Sequence, residues 1–191
     1  MGSGWVAHCA RCAWTSGIRR TQVAAEVVAQ LHKRDFPAHR TVASDVQALH
    51  AGANGRTIGV LVVDDHSLAR KALVTMLAQE PDLEIVGEAG DGKVAVEMTR
   101  ALRPDVVLMD ISLPVLDGIA ATRAIHTACP DVRVIGLSMF DHAEQVQSIL
   151  AAGAAGYVSK TEAPDMLLKA IRCCGAAAQT HQPGRPATRA R

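Results

Sequence analysis

Four separate apolar runs in this chain each end on a residue suited to a phosphate-and-metal site, and that pattern leaves few folds open. Ile58–Val63 (IGVLVV) leads into Asp64 and Asp65, Asp105–Asp110 (DVVLMD) ends in Asp110, Val132–Ser138 (VRVIGLS) ends in Ser138, and Gly156–Lys160 (GYVSK) ends in Lys160. Near-continuous apolar runs of this length are what parallel strands need, because helices cover both faces of their sheet. In an open parallel sheet the strand carboxyl ends share one edge, where ligands bind. Folding would therefore gather three carboxylates, one hydroxyl and one ammonium that the sequence keeps far apart.

The stretches between these runs have helical patterning. After the first strand, Ser67–Gln79 carries Leu68, Ala72, Leu73, Met76 and Leu77 on one face, the spacing of an amphipathic helix. Either Asp65 or Ser67 is placed to cap it. Leu83–Ala89 reads as a strand and Lys93–Leu102 as a helix that Arg103-Pro104 stops. Helices are expected over Gly118–Ala128, Ala143–Ala152 and Ala163–Cys174, with a short strand at Ala155–Ser159 between the last two. Five βα units predict an α/β fold, a doubly wound five-stranded parallel sheet. The domain spans 58–175. Residues 1–50 form a small Cys/His-containing extension, 51–57 a Gly/Asn linker, and 176–191 a small, polar, Pro/Gly-rich tail expected to be disordered.

Composition removes several classes of function. The 191-residue chain is 49% hydrophobic but 3% aromatic, so aliphatic side chains must fill its core. A net charge of +1 argues against a basic nucleic-acid surface on the domain. No run approaches the ~20 apolar residues of a membrane span, and no apolar leader is present at the N-terminus, so a cytoplasmic location is expected. Five cysteines, an odd number without framework spacing, read as reduced thiols.

The gathered residues suit one chemistry. Mg²⁺ takes one or two carboxylates with phosphate oxygens and retains waters. A carboxylate can also accept a phosphoryl group as an acyl phosphate, with metal and ammonium neutralising its oxygens. Each residue alone has a duller reading: a helix cap for the acid pair, a solvated cation for Lys160. Their joint arrival at four strand ends favours the site. Other phosphate chemistries fit poorly. GEAGDG (87–92) has the wrong spacing for a dinucleotide fingerprint, and no P-loop occurs. The D-x-D of haloacid-dehalogenase-like phosphatases is broken by Ser112.

Residues 58–175 resemble the receiver domain of two-component response regulators. VLVVDDH, VVLMDISLPVLDG, VIGLSMFD and AGAAGYVSK carry the likeness, and the last two are similar to the NarL/FixJ-type subfamily. The resemblance implies a flavodoxin-like receiver fold and a phosphoacceptor at Asp110. It implies an Mg²⁺ site of Asp64, Asp65 and Asp110 with the backbone oxygen of Ser112, Asp65 being the more direct ligand than Asp64. It also implies Ser138 as the switch hydroxyl, Lys160 as the phosphate-bridging lysine and Tyr157 as the rotating switch aromatic. Leu113 replaces the family's usual Met, a swap that conserves volume. The implied function is a phosphorelay response regulator, charged by a sensor histidine kinase. It would not be an enzyme beyond self-catalysed phosphotransfer and autodephosphorylation. A homodimer through the fourth helix, fifth strand and fifth helix is implied as well; the output partner is unspecified. The usual helix-turn-helix domain does not follow Cys174, so DNA binding is not expected from the receiver itself.

The N-terminal segment offers a different function. Cys9-x₂-Cys12 with His32 and His39 is similar to a Cys₂His₂ zinc motif, although the His–His gap is longer than usual and His8 could substitute. A plain extension and a redox C-x-x-C are the other readings. Because Arg11, Arg19, Arg20, Lys33, Arg34 and Arg40 make the segment basic, the alternative function is a nucleic-acid-binding regulator acting through a Zn²⁺ module. A phosphatase-like enzyme acting on outside phosphoesters is a third reading.

Overall fold

The computed structural model describes residues 6–7, 57–139 and 142–181. Strand β1 is the short pair Val6–Ala7. The remaining elements alternate: β2 (Ile58–Val63), α1 (Ser67–Leu77), β3 (Leu83–Ala89), α2 (Gly92–Leu102), β4 (Val106–Asp110), α3 (Gly118–Ala128), β5 (Arg133–Ser138), α4 (Ala143–Ala151), β6 (Gly156–Ser159) and α5 (Pro164–His181). The sheet order is β1-β6-β5-β4-β2-β3. The five strands from β2 to β6 are parallel, as the sequence patterning predicts. β1 adds an antiparallel sixth, with Val6 opposite Tyr157 and Ala7 opposite Gly156, which the expected five-stranded sheet did not include.

Helices cover both faces. α1 and α5 pack Leu77, Leu167, Leu168 and Ile171 onto Val60, Val62, Leu108 and Leu137. α2 and α3 pack Val96, Ala121 and Ile125 onto Leu61, Val63, Val107 and Met109. Ile149 of α4 joins Ile111, Ala154 and Tyr157 in a smaller cluster. Every residue of β2 and β4 is buried, which explains why those strands read as unbroken apolar runs rather than alternating ones.

Several local expectations are corrected. Neither Asp65 nor Ser67 caps α1. Its N-cap is His66, whose side chain makes no capping bond; the loop is instead closed by Asp64, which accepts the His66 N–H at 2.8 Å. Asp91 and Asp117 do cap, accepting from Val94 N and Ala120 N. The tail call fails over 176–181, because α5 runs on to His181. The Ala176–Ala178 run is strongly helix-favouring. Ala178 is buried, and a Cβ on Gly175 would press into Ile58, so this last stretch has a core contact that repays its ordering. Residues 182–191 lie outside the described residues. The all-thiol reading is corrected too: Cys173 is disulfide-bonded, whereas Cys129 is a free thiol, buried in the core as Cys174 is. Among the described residues no helix is long and apolar enough to cross a membrane.

Candidate functional site

Sheet register assembles the site. The order β3-β2-β4-β5-β6 reverses direction between β2 and β4, so the helices after these strands depart to opposite faces and leave a crevice at their carboxyl ends. Val63 pairs with Met109, which places Asp64 level with Asp110. Asp110 pairs with Leu137 and Ser138 with Ser159, so Ser138 and Lys160 each stand one residue further along. Lys160 N donates to the Ser138 carbonyl at 2.8 Å and prolongs that ladder.

The side chains meet there. Lys160 Nζ donates to Asp64 Oδ2 and to Asp110 Oδ2, both at 2.7 Å. Asp64 is fully buried and Asp110 nearly so. Burial of Lys160 disfavours its charge, but the hydrogen bonds and charges of Asp110 and Asp64 outweigh that and raise its pKa above the ordinary lysine value. A raised lysine pKa means that its stabilisation is complete below the unfolded-state value and fades only as pH climbs through the higher folded one. The ammonium therefore persists throughout the neutral range.

One cation does not balance three carboxylates. Ligand atoms of Asp64, Asp65, His66 and Asp110 all lie within 4.8 Å of one another. Two of these carboxylates are buried, where uncompensated charge is costly. Hard oxygen donors with a surplus of negative charge fit a divalent cation such as Mg²⁺.

The loop after β4 is held close to this edge. Ser112 N donates to Asp110 Oδ1 at 3.1 Å, and Gly118 N donates to the Ile111 carbonyl at 3.0 Å. A Cβ on Gly118 would collide with the Asp110 carbonyl, so only glycine lets α3 start against the strand end. Between Pro114 and Leu116 the chain makes a three-residue turn, closed by Leu116 N to Pro114 O at 2.7 Å. Its central residue, Val115, has φ 66°, which is the rarer and strained hand of γ-turn.

Of the residues selected from sequence, Asp64, Asp65 and Asp110 converge with Lys160 as expected. Ser112 is in the first turn beyond Asp110. Ser138 is buried at the adjacent strand end. Tyr157 is already inside, packed with Ile111, Ile149 and Ala154. Cys9, Cys12, His32 and His39, with the alternative ligand His8, fall outside the described residues.

Two residues were missed. His66 Nδ1 approaches Asp65 Oδ1 to 2.7 Å, and its place directly after the acid pair was the available signal. Arg70 donates from Nη1 to the Asp64 carbonyl and from Nε to Glu88 at 3.3 Å, tying α1 and β3 to the loop. Nothing in the linear sequence marks that role.

The exposed large hydrophobics among the described residues are Leu68, Val94, Val115 and Met139. Each follows a different strand, β2 to β5, at the site edge. Beside them α1 and α5 leave a cavity of about 310 Å³ lined by Ala72, Leu73, Leu137 and Leu167, with Asp64 and Lys160 at its polar end.

Comparison with known proteins agrees with this geometry. The family model described as a response regulator receiver domain matches residues 60–172. The transcriptional regulatory protein DegU of Brevibacillus brevis is 40% identical over 119 residues, 62% of this chain and 50% of DegU. The chain thus spans about half the length of the curated relatives it matches. The receiver domain of the putative response regulator NarL from Mycobacterium tuberculosis superposes with a TM-score of 0.61 at 34% identity, over 63% of this chain and 97% of that one. The CheX–CheY complex of Borrelia burgdorferi containing BeF₃ and Mg²⁺ gives a TM-score of 0.59 at 28% identity, over 62% of this chain and 90% of that one.

Proposed function

This chain belongs to the response regulator receiver family, and from that premise we propose that Asp110 accepts a phosphoryl group from a sensor histidine kinase and that the change is relayed to a partner. The single observation that carries the reading is the position of Lys160 Nζ, 2.7 Å from both Asp64 and Asp110. A carboxylate beside a fixed ammonium, with two further acids able to hold a divalent cation, has the surroundings that a phosphoryl acceptor needs.

Asp110 Oδ would attack phosphorus as the donor's P–N bond breaks. The electron pair then stays on the donor nitrogen, and an acyl phosphate forms. Lys160 would follow the phosphoryl oxygens, and Ser138, one residue past the partner of Asp110, would donate its hydroxyl to one of them. Asp64, Asp65, Asp110 and the Ser112 carbonyl would hold Mg²⁺, which when bound supplies positive charge to the phosphoryl oxygens. The similarity to a CheY that is complexed with Mg²⁺ supports that choice of ion. Turnover would be confined to self-catalysed transfer and loss of the chain's own phosphoryl group.

A protein donor suits the surroundings better than a small metabolite. Leu68, Val94, Val115 and Met139 are exposed shortly after four successive strands that end at the site, where the surface of a protein donor would meet them. A homodimer through α4, β6 and α5 is part of the same proposal. The nucleic-acid reading of residues 1–50 has no support from the similarities, which cover residues 60–172.

The test is labelling by acetyl phosphate with Mg²⁺. Wild type should become labelled, and chelator should abolish this. Asp110→Asn should remain unlabelled. A labelled Asn variant would assign the acceptor elsewhere.

A further inference from the structure

We infer that Cys173 exchanges disulfides with the N-terminal Cys9-x₂-Cys12 pair, and that this exchange sets whether β1 stays on the edge of β6.

The bonding partner of Cys173 follows from where the other cysteines lie. Cys173 is disulfide-bonded, and the chain has five cysteines. Cys129 is a free thiol, buried on the opposite face of the sheet from α5, with the residues of α2 and α3. Cys174 is the next residue of α5. Adjacent Cα atoms are about 3.8 Å apart, short of the roughly 4.4–6.8 Å that disulfides span, and successive side chains diverge by about 100° around a helix. Cys174 turns into the core cluster with Ile58 and Ile171, while Cys173 is half-buried. The sulfur joined to Cys173 therefore belongs to Cys9 or Cys12.

The topology brings those residues within reach. β1 runs antiparallel to β6, from Val6 opposite Tyr157 to Ala7 opposite Gly156. The chain thus leaves β1 at the start of β6, away from the phosphoryl site, with Cys9 two residues further along the sequence. α5 descends to the same end of the sheet. A Cβ on Gly175 would press into Ile58, the first residue of β2, which sets Cys173 near that end. The helix from Pro164 to Cys173 is about 14 Å long, against about 10 Å for β6 from Ser159 to Gly156. The residues between Ala7 and Cys9 or Cys12 span up to about 7–17 Å when extended, enough to close the gap.

The C-x₂-C spacing supplies a resolving thiol. The thiolate of the cysteine not joined to Cys173 attacks the sulfur of its neighbour. The bond to Cys173 breaks, its electron pair leaves on the Cys173 sulfur, which takes a proton from water, and a Cys9–Cys12 disulfide forms. No electrons are gained or lost, and the reverse step restores the link. A dithiol reductant opens it as well, supplying two electrons and two protons and becoming a disulfide itself. A two-residue strand is too short to pair unaided, so β1 leaves β6 when the link opens. A fixed structural staple is the plainer account, but it gives no role to the second cysteine of the pair. The link also bears on the zinc reading, because a sulfur in a disulfide is not the thiolate that zinc requires.

The experiment uses the full chain, equilibrated in glutathione buffers, quenched with N-ethylmaleimide and digested with trypsin without reductant. Cleavage after Arg11 and Arg172 puts Cys9, Cys12 and Cys173 on three peptides. Cys174 shares the last of these, so Cys173→Ser assigns the sulfur. Under oxidised glutathione we expect the Cys173 peptide joined to that of Cys9 or Cys12, loss of this pair in Cys173→Ser, and its retention in Cys129→Ser. Of Cys9→Ser and Cys12→Ser, one should keep the link and open it more slowly than wild type. The two tryptophans, Trp5 and Trp14, flank the C-x₂-C pair, so tryptophan anisotropy reports on that segment alone. It should fall on reduction of the folded protein to the value of Cys173→Ser. Complete alkylation of Cys173 after oxidation, a link that opens only on unfolding, or an anisotropy unchanged by reduction overturns the inference.

Discussion

At the scale of single residues, the site divides into those that strand periodicity exposes and those that backbone geometry creates. Asp64, Asp65, Asp110 and Lys160 were legible because each follows an apolar run whose end must lie at the sheet edge. Val115 was not, since nothing in Leu113-Pro114-Val115-Leu116 announces a positive φ, and a β-branched residue argues against one. At φ 66° a valine is held in a conformation that costs about 1–2 kcal/mol, and its 85% exposure offers no packing in return. Val115→Gly should therefore raise the unfolding free energy by roughly 0.5–1 kcal/mol, the relief exceeding the entropy that glycine adds to the unfolded chain. Urea unfolding measures this. An unchanged or lower midpoint would mean that the turn is not strained in solution. His66 and Arg70 were illegible for a related reason. Their contacts depend on how α1 leaves β2, and a sequence pattern reports which face is apolar but not the angle of departure.

Among elements, α5 departs furthest from its sequence reading and has the clearest polar attachment. Arg172 donates from Nε and Nη2 to both oxygens of Asp82 at 2.7 and 2.9 Å, and from Nη2 to Glu80 at 2.6 Å. These acids lie in the connection between α1 and β3, so one guanidinium ties three elements together at the end of the sheet away from the site. Its bonds to Asp82 and Glu80 raise the pKa of Arg172 further, so by the sign established for a raised base the clamp keeps its cation at every pH used in practice. Arg172→Ala should cost roughly 2 kcal/mol, given a two-pronged charged contact that is only partly exposed. Arg172→Lys should recover less than half, because an ammonium cannot match two carboxylate oxygens in one plane. Thermal melts of the three proteins check the ordering, and a lysine variant as stable as wild type would discount the fork geometry. The core strands were read correctly because parallel strands covered on both faces are apolar throughout. The end of α5 was misread because Gly175 suggests a stop, whereas here the missing side chain admits Ile58.

For the whole molecule, the question is how a phosphoryl group at Asp110 could alter a distant face. Shifting a two-state equilibrium from 1:99 to 99:1 needs about 5.5 kcal/mol of differential binding. A single hydroxyl contact with a charged group contributes about 1.5–3 kcal/mol, so Ser138 alone falls short. Contacts from Lys160 and from an associating partner must supply the remainder. Tyr157 is already buried beside Ile149, so a response at α4 would run through Ile111 and Ile149 rather than wait on an inward swing of the ring. We expect phosphorylation to promote self-association, and Ser138→Ala to retain labelling while losing most of that gain. Sedimentation velocity of both labelled proteins decides it. Equal association would disconnect Ser138 from the response without touching the acceptor chemistry. The five-unit architecture was legible in advance because βα alternation allows one handedness of crossover. The sixth strand was not, because a two-residue antiparallel pairing leaves no periodic trace.

That sixth strand has a consequence for polymerisation. Open-ended growth by sheet extension requires two free edges on every copy, one to receive a neighbour and one to offer. β1 occupies the outer side of Gly156 and Tyr157 and leaves only two residues of β6 beyond them, too few for stable pairing. Among the described residues β3 is then the only long edge left in this sheet, and it bears Glu84 and Glu88. Copies joined edge to edge would stop at pairs, so β1 acts as a chain terminator against fibre formation.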